Sequence, residues 1–245
     1  MLPAHLRLVT SSTLCALVLS LSSLARAQDA APAVEEETYP PAWFRFDSDG
    51  GALQVWAGAT HSLSDTIGLA SDIYVTSGYL GEFDLGPAFT AGPFIVTPML
   101  GVQFDWAAKK AAAFVPQLYV VGGPDPIYLE LWLQNYVYTI FDYPTADTVA
   151  RNFIYTRFFV DYKLGKYIAI GPQIEATINV SGDGDSVSSL PVGGSLMLSN
   201  YGVGNALFIF LGYETKEPAR QITVGEDGET EDHGLVGRLT FVKNF

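Results

Sequence analysis

From Trp43 to Phe245 the chain alternates apolar and polar side chains with a period of two. That is the period of a β-strand with one apolar and one polar face, and it excludes helices as the main element. Lys166 to Val180 is the clearest stretch. Ile168, Ile170, Ile174, Ala176, Ile178 and Val180 share one face, with Pro172 the single irregularity, while Gln173, Glu175, Thr177 and Asn179 share the other. Asn152 to Leu164 sets Ile154, Phe158, Val160, Tyr162 and Leu164 against Arg157, Asp161 and Lys163. Phe94 to Trp106 repeats the arrangement, with Thr97, Gln103 and Asp105 on the polar side. Ile127 to Ile140 does so with Glu130 and Gln134, and its polar face also carries Tyr128, Trp132, Tyr136 and Tyr138. Weaker copies lie at Ala52 to His61, Ile67 to Thr76, Leu80 to Thr90, Ala112 to Val121 and Leu190 to Ser199; Ala206 to Tyr213 is apolar on both faces. Turn residues separate them, among them Asp49-Gly50-Gly51, Gly92-Pro93 and Gly182-Asp183-Gly184.

So many aliphatic faces need an apolar neighbour. Only 16% of residues are charged and the mean hydropathy is +0.22, low charge and high hydropathy for a water-soluble acidic protein. Beyond residue 27 no run of 18 apolar residues offers a helical span. Strands of about 9–11 residues cross a bilayer, provided that the sheet closes and leaves no backbone group unbonded. The expected fold is therefore all-β, a transmembrane antiparallel up-and-down β-barrel. Short links at 64–65, 91–93, 123–125, 165–166 and 200–204 alternate with the links that include every long one: 77–79, 107–111, 141–151, 181–187 and 215–232. Short turns mark the periplasmic side and long loops the external side. With both ends periplasmic, Trp43 to Asp47 supplies a first strand, and the count is 12, with 10 as the alternative. The rival is a secreted soluble sandwich or lipocalin-like barrel with its aliphatic face inward, which eleven or more such strands would overfill.

Residues 1–27 read as a secretory signal peptide: His5 and Arg7, an apolar run from Leu14 to Leu24, then Ala25-Arg26-Ala27 before a cut after Ala27. Residues 28–41 read as a flexible leader and 42–245 as the barrel. Cys15, the only cysteine, would leave with the signal, so disulfides and thiolate chemistry are excluded from the mature chain. The mature portion would hold 11 Lys and Arg against 26 Asp and Glu, a net charge of −15 that repels nucleic acid.

The terminal strand runs Leu235-Val236-Gly237-Arg238-Leu239-Thr240-Phe241-Val242-Lys243-Asn244-Phe245. Here the chain resembles the Gram-negative outer-membrane β-barrel class, whose last strand typically ends in Phe. The resemblance implies an outer-membrane location, recognition of Leu239, Phe241 and Phe245 by the barrel assembly machinery, and a lipid bilayer with lipopolysaccharide as surroundings. Lys243 departs from the class pattern, which usually has an apolar residue there. In size and strand count the chain looks like the 12-stranded barrels, which include small sugar and nucleoside channels and an outer-membrane phospholipase.

By parity the lumen receives Asp47, Asp72, Glu82, Asp84, Asp105, Glu130, Asp161 and Glu175, with Arg45, Arg157, Lys163 and Arg238, and also Trp132 and Gln173. Eight acids against four bases favour cations if water fills the pore; alternatively the charges pair and plug the barrel. Catalysis would need a nucleophile and base, and the mature chain offers only His61 and His233, neither with a recognisable partner spacing. No catalytic residue, cofactor or metal site is assigned; the Gly182 to Ser186 turn and the Gly225 to Asp232 loop are acidic but lack EF-hand spacing. The sequence thus points to a small passive, cation-preferring channel or a structural envelope protein. Surface binding through the long external loops, or a barrel-embedded hydrolase, are the alternatives.

Overall fold

The structure is a computed structural model, and it describes residues 41–49, 52–143, 152–181, 187–200, 204–216, 222–224, 229–231 and 234–245. The signal peptide, the leader, the Gly182 to Ser186 turn, His233 and parts of both long external links lie outside the described residues.

Twelve strands form the wall: β1 (Ala42–Asp49), β2 (Leu53–Ser62), β3 (Ile67–Thr76), β4 (Leu80–Ala91), β5 (Phe94–Asp105), β6 (Lys110–Gly122), β7 (Ile127–Tyr136), β8 (Phe153–Lys163), β9 (Ile168–Asn179), β10 (Pro191–Asn200), β11 (Asn205–Glu214) and β12 (Leu235–Asn244). Each pairs antiparallel with its chain neighbours, and β12 returns to β1 from Trp43↔Asn244 to Asp49↔Arg238. Closure leaves no open edge in lipid, the condition a membrane sheet must meet. Among the described residues no helix is long and apolar enough to cross a membrane.

The dyad becomes inside and outside. In β3, Ile67, Leu69, Ile73 and Val75 are exposed on the outer face, while Ala70, Asp72 and Tyr74 are buried inward. Phe83, Leu85 and Phe89 continue the outer belt on β4, and Ile168, Ile170 and Ile174 do so on β9. Phe104 and Trp106 stack at 6.0 Å where β5 reaches the external side, as aromatic residues do at a membrane interface. Short turns set the registers. Gly92, at φ +61°, is the first central residue of a two-residue hairpin that faces Ala91 with Phe94, the place where such a turn needs glycine.

One expected strand is shorter than the sequence pattern. Ile127 to Ile140 alternates throughout, yet β7 stops at Tyr136; Val137 makes one bridge to Phe114, and Tyr138–Ile140 forms a 3-10 turn. Tyr138 stays buried, packed with Ala112, Ala113, Val115 and Tyr136, so its alternation survives without a strand. Two small elements were not anticipated: Val187–Ser189, paired with β9, and a hairpin of Ile222–Val224 with Glu229–Glu231.

Candidate functional site

The lumen is tied across its own width. In a ring of twelve strands β1 and β7 stand opposite one another, yet Arg45 Nη1 of β1 lies 2.9 Å from Glu130 Oε1 of β7. The same Glu130 oxygen accepts from Arg157 Nη2 of β8 at 2.8 Å, and Arg157 Nη1 reaches back to Asp47 Oδ2 of β1 at 3.1 Å. Arg45 Nε closes the set on Asp47 Oδ1 at 3.2 Å. Arg238 of β12 adds a two-pronged contact to Glu175 of β9, at 3.2 and 2.9 Å, and reaches Asp49 at 3.2 Å. All these side chains except those of Arg238 and Asp49 are less than a tenth exposed.

Aromatic rings fill the space around the arginines. The Arg45 guanidinium carbon sits 5.2 Å from the Trp132 ring centre and 5.8 Å from that of Trp56, and Arg157 lies over Trp132 at 5.4 Å. Trp56 stacks on Tyr74 at 4.6 Å and meets Trp132 at 5.3 Å. The Trp132 indole N–H donates to Gln117 Oε1 at 2.9 Å, so its polar edge is satisfied inside the packing. Arginine over indole in a dry site is a favourable cation–π arrangement. The waist is therefore charge-paired and packed with side chains.

A second region of the lumen is acidic and unbalanced. Asp72 and Asp84 are direct cross-strand partners, and Glu82 is two residues along the same inward face of β4. Opposed like charges destabilise a sheet pair. Neither Glu82 carboxylate oxygen has a hydrogen-bond partner, nor has Asp84 Oδ1, although both residues are almost fully buried. Gly101 makes room for this group: a Cβ there would run into Asp84 Oδ1. Asp161 accepts from Ser195 Oγ at 3.3 Å and leaves its other oxygen without a partner. Among the described residues no basic side chain pairs with any of these four acids, and no group of three or more His, Cys, Asp and Glu is arranged to hold a metal ion.

Two residues read as lumen-lining belong to the rims. Lys163 sits at the periplasmic end of β8 and reaches Asp125 Oδ1 in the β6–β7 turn at 3.3 Å. Asp105 ends β5 on the external side, accepts from the Ala108 N–H at 2.8 Å, and takes a hydrogen bond from the Tyr143 hydroxyl. That bond pushes the Tyr143 hydroxyl up to about 12. Tyr138 donates to Gln103 Oε1 at 3.1 Å, so two tyrosines from the β7–β8 link bond to β5 near its external end. Parity holds for both rim residues, but strand ends open to water, and parity does not report depth. Asp72, Glu82, Asp84, Glu130, Trp132, Arg157, Asp161, Gln173, Glu175 and Arg238 do face inward, Gln173 donating to Glu175 Oε1 at 2.8 Å. Trp56, Tyr74, Tyr119 and Gln117 also belong to the lumen; they fall in weakly alternating segments, where inward parity was their only signal. His61 is exposed near the periplasmic end of β2, on the lipid-facing parity.

The closed twelve-strand wall, its apolar belt and its charged interior define a transmembrane antiparallel β-barrel. Among solved structures the chain is similar to the NanC porin, at 8% identity and a TM-score of 0.50, covering 84% of this chain and 98% of that one. The KdgM porin aligns at 11% identity and a TM-score of 0.46, over 84% and 99% of the two chains. At these identities the likeness is one of fold. No protein-family model matches the chain, and no curated protein does.

Proposed function

We propose that this protein is a narrow passive channel of the outer membrane that rests closed and prefers cations when open. The division of lumen charge carries this reading. Three arginines pair with Asp47, Asp49, Glu130 and Glu175, while among the described residues Asp72, Glu82, Asp84 and Asp161 keep no basic partner. Unpaired buried acids cost several kcal/mol each, so an interior that only fills space is more stable without them. Water and a passing cation would relieve that cost once the waist parts.

The specific observation favouring a second reading, a permanently sealed envelope barrel, is the set of buried ion pairs joining opposite walls. Breaking such a pair by removing one partner costs about 3–5 kcal/mol. Conductance in a planar bilayer separates the two. Glu130 holds both Arg45 and Arg157, so Glu130→Gln is expected to raise the frequency of openings over the wild type, with a cation-preferring reversal potential in a salt gradient. Asp72→Asn with Asp84→Asn is expected to weaken that preference. Silence from both the wild type and Glu130→Gln assigns the protein to the sealed class, and anion preference overturns the role given to the acids.

A further inference from the structure

Across the outer face of β9 to β12, near the periplasmic side, four apolar residues stand in one row. Ile168 faces Leu198, Leu198 faces Leu207, and Leu207 faces Phe241, each pair directly in register. One step toward mid-membrane, Ile170, Leu196, Ile209 and Leu239 form a second such row. One step toward the periplasm the chemistry changes. Asn205 is opposite Lys243, and Lys166 lies in the β8–β9 turn two residues before Ile168.

A groove of about 470 Å³ opens at this level, lined by Tyr167, Ile168, Leu198, Asn205, Leu207 and Phe241 among others. Both lysines are carried on aromatic rings at its periplasmic end: Lys166 Nζ is 5.2 Å from the Tyr167 ring centre, and Lys243 Nζ is 5.7 Å from that of Phe245. Lysine stems lie along apolar surface while the ammonium stays in the headgroup layer, the level where tyrosine also settles. Within the groove the Asn205 side-chain oxygen is buried and has no hydrogen-bond partner.

We propose that this groove is a binding site for one diphosphatidyl phospholipid of the periplasmic leaflet. Its two phosphodiesters engage Lys166 and Lys243, and its acyl chains lie along the two apolar rows. β9 and β12 are three strand intervals apart, about 14 Å, which leaves room for each lysine to hold a phosphate of its own.

The test needs no current and is independent of conduction. Full-length protein is reconstituted in nanodiscs holding cardiolipin, phosphatidylglycerol and phosphatidylethanolamine, then released for native mass spectrometry. One cardiolipin is expected to stay bound in preference to both other lipids. Lys166→Gln with Lys243→Gln is expected to lower its retention about 30-fold, each lysine near a lipid surface contributing roughly fivefold. Lys109→Gln with Lys110→Gln, on the external side, serves as the matched control and leaves retention unchanged. Heat-modifiable gel mobility checks that every variant is a folded barrel. Equal retention of all three lipids, or of cardiolipin by wild type and the Lys166/Lys243 variant, overturns the site; phosphatidylglycerol held as well as cardiolipin overturns the two-phosphate assignment.

Discussion

At the scale of single residues the sharpest feature is Asp72 facing Asp84 inside the barrel. Opposed like charges on one face of a strand pair cost up to about 1 kcal/mol. Asp84→Asn removes that repulsion, and its amide can donate to Asp72. The variant is expected to raise the urea midpoint of vesicle-embedded barrel by an amount equal to about 0.5–1 kcal/mol; an unchanged or lower midpoint would mean that the pair is held by something other than its own repulsion. The inward placement of both acids was legible in the dyad. Their pairing was legible too, because a β3–β4 hairpin centred on Gly78 brings 72 against 84, and centring the turn is all that the register requires. What no local pattern contains is that Glu130, rather than these acids, receives the arginines. That depends on which side chains meet across the lumen, 85 residues apart for Arg45.

At the scale of the strand, depth in the membrane becomes measurable along β9. Ile174 faces outward near its middle and Ile178 near its external end. Arginine on the lipid face costs about 2–4 kcal/mol at mid-membrane and about 0–1 near the interface. Ile174→Arg is therefore expected to lose most of the folded, heat-modifiable form, and Ile178→Arg little of it; equal losses would place β9 at a different depth. Strands with strict alternation, β8 and β9 above all, were readable almost to their ends. The end of β7 was not, because Tyr136 and Tyr138 keep the same parity whether the chain continues as a strand or turns into a 3-10 helix. The difference lies in Tyr138 finding Gln103, which belongs to another strand.

At the scale of the whole molecule, closure was readable and the state of the lumen was not. Counting alternating segments and short turns leads to a closed wall, since the absence of edges is set by backbone chemistry and an even count by both ends lying on one side. Whether the inside is open depends on how far inward side chains reach, and strand count does not fix that for a barrel of intermediate width. The packed waist has its own test. Ion pairs shielded from solvent are screened far less than exposed ones. Raising NaCl from 0.1 to 1 M is therefore expected to leave the urea midpoint nearly unchanged, while a water-filled, charge-lined lumen would show a clear salt dependence.

The contacts of β1 with β7 and β8 also change what kind of mechanical object this is. An empty barrel is a hoop: pressed from the side it flattens, and a push on one strand travels around the ring through its neighbours. Arg45–Glu130 and Asp47–Arg157 turn the hoop into a wheel with spokes. Sideways compression by the lipid at β7 is then felt at β1 directly, through a few ångströms of ion pair rather than six strands of sheet. Lateral pressure in the membrane and the width of the lumen become one variable in such a wheel, and stretching the bilayer is a force applied to the spokes.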